Sequence, residues 1–140
     1  MGDEYRLPIG SEHDILTARQ RGRELAAELG FSGSDLTLVA TAISEIARNI
    51  VEYAGRGEMS FTLVRDGQSR GIVVVARDEG PGIPDVSRAM QDGYSTGRSL
   101  GLGLPGARRL MDEFEVDSAA GRGTTVTMKK WMRTPSARVS

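Results

Sequence analysis

Glu45 and Asn49 stand four residues apart in the stretch Glu45-Ile46-Ala47-Arg48-Asn49. On a helix that spacing places both on one edge. A carboxylate there can act as a general base. An amide oxygen one turn later can ligate a hard cation such as magnesium, which needs few protein ligands when phosphates supply the rest. Taken alone, such a pair is more commonly a solvated helix edge. A second group, Asp78-Glu79-Gly80-Pro81-Gly82-Ile83, follows an apolar run directly. A carboxylate at a strand end can accept hydrogen bonds from an exocyclic amino group, and Gly80 and Gly82 let the backbone pass against a flat base. A third, Gly101-Leu102-Gly103-Leu104, precedes Pro105. Backbone N–H groups at a glycine-rich helix start bind phosphate, with the helix dipole favouring the negative charge; the plainer alternative is a hinge. The fourth, Gly121-Arg122-Gly123-Thr124, enters the last strand and carries weight only in company with the others.

Composition narrows the field. The chain has 140 residues and 18 glycines, about twice the usual share of glycine, and nine of them lie between Gly80 and Gly123. This concentration points to loops that touch a ligand, against a reading as ordinary tight turns. The length suits one domain, expected over residues 1–133, with residues 134–140 a small polar tail expected to be disordered. There is no cysteine, which removes thiolate nucleophiles, disulfides and zinc-thiolate sites and suits a reducing cytosol. Net charge is -1, so no general attraction to nucleic acid is expected. No apolar run is long enough to cross a bilayer, and the N-terminus lacks a secretory pattern; a cytoplasmic protein with no membrane partner is expected. His13 is the single histidine, so histidine-rich metal sites and Ser-His-Asp triads are hard to build; it reads as a helix-start residue.

The elements that must position these groups follow from periodicity. Residues 3–9 read as an initial strand. Residues 12–29 read as a helix, with Ile15, Ala18, Gly22, Leu25, Ala26 and Leu29 in one stripe, Arg19, Arg21 and Arg23 mostly outside it, and Gly30 at its end. Residues 35–54 are the strongest helix, capped by Ser34 and stopped by Gly55 and Gly57; Leu36, Val39, Ile43, Ile46, Ala47, Ile50 and Ala54 mark its apolar face. The period then becomes two: 58–65 reads as a half-buried strand, Asp66-Gly67 as a hairpin turn, and Ile72–Ala76 as a central strand. A short helix is expected at 85–91, a mobile loop at 92–102, a helix from Pro105 through about Phe114, and strands at 115–119 and 124–131. This order predicts an α+β fold, a two-layer α/β sandwich whose mixed sheet is covered by helices on one face.

Together, in this order and spacing, the four groups resemble the motifs of the GHKL (Bergerat-fold) ATPases. The stretches ISEIARNIVEYAG, DEGPGIPDVSRAMQDGYSTG and GLGLPGARRLMDEF further resemble the RsbT-type serine/threonine switch kinases, relatives of the anti-sigma kinases. The resemblance covers nearly the whole chain. It implies ATP and Mg2+ as cofactors. Asp78 would receive the adenine amino group with Thr124 helping through a water; Gly80, Gly82 and Ile83 would shape the base pocket. Asn49 would hold magnesium, and Glu45 would orient or deprotonate the attacking hydroxyl. Residues 92–102, with Ser95, Thr96, Gly97 and Arg98, would form a lid over the phosphates. Gly101, Leu102, Gly103 and Leu104 would offer backbone N–H groups.

Lysine occurs only as Lys129 and Lys130. Neither belongs to a Walker motif, so charge neutralisation would fall to magnesium, the helix terminus and Arg98. A P-loop kinase is excluded by the missing G-x-x-x-x-G-K-[ST] motif, and a eukaryotic-type protein kinase by length and the missing HRD and DFG segments. The resemblance implies a partner switch: a kinase held by a STAS-domain antagonist in a stressosome-type complex, which phosphorylates it on serine or threonine, leaves, and then activates a PP2C-type phosphatase. The alternative is a nucleotide-dependent anti-sigma or regulator-binding module without phosphotransfer.

Overall fold

A computed structural model describes residues 4–82, 90 and 103–132. The first strand, β1 (Glu4–Ile9), leads into α1 (Glu12–Leu29). Ser11 caps α1 by accepting the Asp14 N–H at 3.2 Å, and Asp14 Oδ2 accepts the Gly10 N–H at 2.8 Å. This reciprocal arrangement satisfies two backbone donors at the helix start. Ile15, Ala18, Gly22, Leu25, Ala26 and Leu29 are the buried stripe, as the periodicity predicts, and Gly30 closes the helix. Among the arginines outside the stripe, Arg21 lies over the Tyr5 ring and pairs with Glu24.

α2 spans Ser34–Asn49. Ser34 does not cap it: Gly33 occupies the cap with φ 59, no side chain caps the helix, and Ser34 is already its first residue. The helical path continues to Ala54, as expected, but Ile50–Ala54 is a π-helical turn closed by Gly55 N–H to the Ile50 carbonyl at 2.9 Å. Gly55 ends it, whereas Gly57 belongs to the next strand.

β2 (Gly57–Asp66) and β3 (Ser69–Asp78) form a hairpin; Asp66 is the last paired residue and the turn itself is Gly67-Gln68. α3 (Gly103–Leu110) is followed at once by β4 (Glu113–Ser118) and then β5 (Thr124–Met132). The expected helix to Phe114 therefore stops four residues early. Asp112 N–H bonds to the Lys129 carbonyl at 2.9 Å, Asp112 Oδ2 accepts the Trp131 N–H at 2.7 Å, and Lys130 Nζ reaches the Leu110 carbonyl at 3.2 Å. Pairing with β5 takes backbone groups that a longer helix would have used for itself.

The sheet order is β1-β2-β3-β5-β4. All four pairings are antiparallel, so the sheet is antiparallel rather than mixed among the described residues. Alternation sends Met59, Phe61, Ile72, Val74, Ala76, Val126 and Met128 to one face, where they join the buried residues of α1, α2 and α3 in one core. Register aligns Phe61, Val74 and Met128 in one row and Met59, Ala76 and Val126 in the next. The following row on the same face is Gly57, Asp78, Thr124 and Ser118. The core thus ends in a polar row. No helix among the described residues is long and apolar enough to cross a membrane. The segments 85–89 and 91–102, and the tail 134–140, lie outside the described residues, which include only Met90 of the expected short helix.

Candidate functional site

The polar row carries the first part of the site. Asp78 is the last residue of β3, and its Oδ1 accepts the Gly80 N–H at 2.9 Å. That bond turns the chain away from the sheet and fixes the carboxylate, leaving Oδ2 as the acceptor that can face a ligand. Thr124 is its direct partner on β5. Cross-strand neighbours on one face have Cβ atoms about 5 Å apart, so the two side chains can address one ligand.

Backbone packing around Asp78 is close. A Cβ on Gly80 would come within 2.6 Å of the Ala54 Cβ. Gly82, at φ 80, has the Ala119 carbonyl where a Cβ would stand, and the Pro81 carbonyl accepts the Gly121 N–H at 2.6 Å. Gly82 thus meets both demands that only glycine satisfies, positive φ and close backbone approach. The π turn matters here: it carries the α2 path round so that Ala54 lies against Gly80 and Ile50 against the Gly57–Asp78 pair. A single wide turn within a helix often marks a functional site. Asn49 is the last residue of α2 and directly precedes this turn.

Glu45 and Asn49 are both half-buried on α2. Glu45 Oε1 accepts the Gly103 N–H at 3.2 Å. Gly103, at φ 57, opens α3. The general-base candidate is thus tied to the glycine-rich helix start, although the two residues are 58 apart in the chain. This changes the account of the α3 terminus. The Gly103 N–H is committed to Glu45, and Pro105 has none. Leu104 and Gly106 are the early positions whose N–H can face an anion. The Leu104 side chain is buried in the core, so its contribution would be through the backbone alone.

Of the residues singled out from the sequence, Asp78, Gly80, Gly82 and Thr124 come together at the sheet end. Glu45 joins Gly103 and Leu104 across the α2–α3 contact, and Asn49 ends α2 one helical turn further on, just before the π turn. Ile83, Thr96, Gly97, Arg98, Gly101 and Leu102 lie outside the described residues. Sequence reasoning missed Ser118, whose only signal is its place opposite Thr124 in the final pairing.

Helices thus cover one face of an antiparallel sheet, with a carboxylate at the end of a central strand and Glu45 bonded to a glycine-rich helix start, an arrangement suited to binding a nucleotide. Residues 11–130 match the histidine kinase-like ATPase domain, and the chain belongs to that family. Serine/threonine-protein kinase RsbT of Bacillus subtilis is 50% identical to it over 133 residues, covering 95% of this chain and 100% of that protein. An anti-sigma F factor of Caldanaerobacter subterraneus subsp. tengcongensis is 32% identical over 114 residues, 76% of this chain and 78% of that one. Among solved structures, the RsbU and RsbW domains of a Mycobacterium tuberculosis protein superpose with a TM-score of 0.66 at 24% identity, over 94% of this chain and 33% of that chain. The mycobacterial sensor histidine kinase MprB follows at 0.55 and 17%, over 95% and 99%. At these identities the structural likeness is one of fold. The 50% relative, with the matching ATPase domain, makes the chain a serine/threonine protein kinase of the RsbT type.

Proposed function

We propose that this kinase uses ATP and magnesium to phosphorylate a serine or threonine of a STAS-domain antagonist, and that it acts as a partner switch in a bacterial stressosome-type pathway. The observation that carries the chemistry is the bond from Gly103 N–H to Glu45 Oε1. It holds the carboxylate of the base at the helix start where phosphates would lie. The partner class rests on the resemblance to RsbT-type kinases, supported by the 50% relative.

In this reading Asp78 and Thr124 bind the adenine end. Gly80 and Gly82 shape the base pocket, as Ile83 would; Thr96, Gly97, Arg98, Gly101 and Leu102 would cover or touch the phosphates. Leu104 adds a backbone N–H. No group of three acidic or histidine side chains among the described residues could hold a metal ion. Asn49, a single hard oxygen donor, fits magnesium held mainly by the triphosphate. Bound there, the ion would supply charge neutralisation. Glu45 Oε2 accepts the proton of the attacking hydroxyl while the hydroxyl oxygen bonds to the γ-phosphorus and ADP leaves. Little covalent chemistry is asked of the protein beyond positioning and electrostatics.

Phosphate adds about 1.5 to 2 negative charges at neutral pH, beside Glu45 and the nucleotide, so the product should leave. The released kinase would then activate a PP2C-type phosphatase. The test is transfer of labelled γ-phosphate to a purified STAS-domain protein, with binding measured before and after phosphorylation. Transfer followed by at least tenfold weaker binding, about 1.4 kcal/mol, supports the switch. Unchanged or tighter binding after phosphorylation rejects it. The anti-sigma F factors among the relatives favour a second reading, a nucleotide-dependent grip on a regulator without phosphotransfer. ATP binding with no transfer to any STAS partner would put that reading first.

A further inference from the structure

The phosphotransfer reading leaves one side chain of the polar row unused. Ser118 ends β4 and stands opposite Thr124. Its Oγ donates to the Gly123 carbonyl at 2.9 Å and lies 2.7 Å from Thr124 Oγ1. A carbonyl oxygen only accepts, and a hydroxyl carries one proton. With the Ser118 proton committed to Gly123, the short contact between the hydroxyls is made with the Thr124 proton. Thr124 then has only lone pairs to turn toward a ligand. Asp78, its neighbour on β3, is a carboxylate with Oδ1 already engaged by Gly80 and is likewise acceptor-only. The base end of the sheet therefore presents two adjacent acceptors.

We propose that Ser118 is a positioning residue that determines base specificity: by taking the Thr124 proton it keeps Thr124 an acceptor and tunes the site to a purine with a 6-amino group. This rests on the adenine-end reading above and deepens it. A 6-amino group donates to such a pair directly. A water shared between Asp78 and Thr124 gives them both its protons and turns its lone pairs to the base, so it too accepts from an amino group. A 6-oxo purine meets acceptors in either arrangement. Without the Ser118 oxygen, the Thr124 hydroxyl is free to rotate and donate to a 6-oxo group.

The experiment is calorimetric titration of the full chain with ATP and with inosine triphosphate, both with magnesium, for wild type and for Ser118→Ala, Ser118→Cys and Ser118→Thr. The two nucleotides differ only at the 6-position and the N1 proton that goes with it. Wild type should favour ATP. Ser118→Ala should narrow the ATP-to-ITP affinity ratio about tenfold, chiefly by gaining ITP affinity, a gain that damage to packing does not produce. Ser118→Cys is nearly isosteric but a weak acceptor; it should do the same, and it reads the proposal if the alanine variant fails to fold. Ser118→Thr keeps the hydroxyl and should keep the preference. An unchanged ratio in the alanine and cysteine variants, with ATP still bound, overturns the role of Ser118 alone, as does a threonine variant with the relaxed ratio. Failure of wild type to bind ATP overturns the adenine-end reading and this inference with it.

Discussion

Asp78→Asn keeps the size and shape of the side chain and inverts half of its hydrogen-bonding character. Asp78 Oδ1 accepts the Gly80 N–H at 2.9 Å. An asparagine can preserve that bond only by placing its oxygen toward Gly80, which turns its NH2 group toward the base. The other rotamer aims NH2 at the Gly80 N–H and breaks the turn. In the first arrangement the adenine amino group loses a charge-assisted acceptor, worth about 1.5–3 kcal/mol, and faces a donor, with an unsatisfied-donor penalty of roughly 1–3 kcal/mol. A net loss of about 3 kcal/mol is expected, or roughly a hundredfold in ATP affinity. The fold should tolerate the change, because the turn bond survives and the row is at the edge of the core. Calorimetric titration with ATP and magnesium, beside a thermal melt of the nucleotide-free chain, measures both terms. The same variant should gain on a 6-oxo nucleotide, whose oxygen now meets NH2. A normally melting Asp78→Asn protein that binds ATP within about threefold of wild type would refute the reasoning.

Other substitutions separate the remaining roles. Glu45→Gln can still accept the Gly103 N–H, so ATP affinity should hold while turnover falls by about 10²- to 10⁴-fold in a labelled-phosphate assay; equal loss in both would mean that Glu45 binds nucleotide rather than acting as base. Asn49→Ala should lower magnesium-ATP affinity and turnover together, read by titration with and without the metal. Gly103→Ala places a side chain at φ 57, a strain of about 1–2 kcal/mol, and should reduce turnover by displacing Glu45. Gly103→Asn tolerates that conformation and should restore much of it; a change in ATP affinity with turnover intact would assign the N–H to phosphate instead. Phe61→Ala removes a fully buried ring between β1 and β3 and should cost about 3–5 kcal/mol, seen as a lower urea midpoint at unchanged slope.

Features that local chemistry controls are readable from the residues alone. α1 follows from an apolar stripe and a terminal glycine, and its bounds, Glu12–Leu29, agree with the pattern. The β2–β3 hairpin follows from alternation and a two-residue turn. The site segments were legible because each demand is short-range: a carboxylate at a strand end, glycine at Gly82 where φ is positive, two polar residues one helical turn apart. Where two structures satisfy one pattern, long-range pairing makes the choice. Met111 and Phe114 suit a longer α3 as well as they suit a strand, and β5 settled it by taking the Asp112 backbone and side chain. The change to a π turn at Ile50 leaves the apolar spacing nearly intact, so periodicity does not register it. Gly103 looked like a free phosphate donor until folding brought Glu45 to its N–H. Ser118 carries no local signal at all. Its place comes from the register of three strands, which sets its hydroxyl against that of Thr124 and leaves neither with a proton to give a ligand.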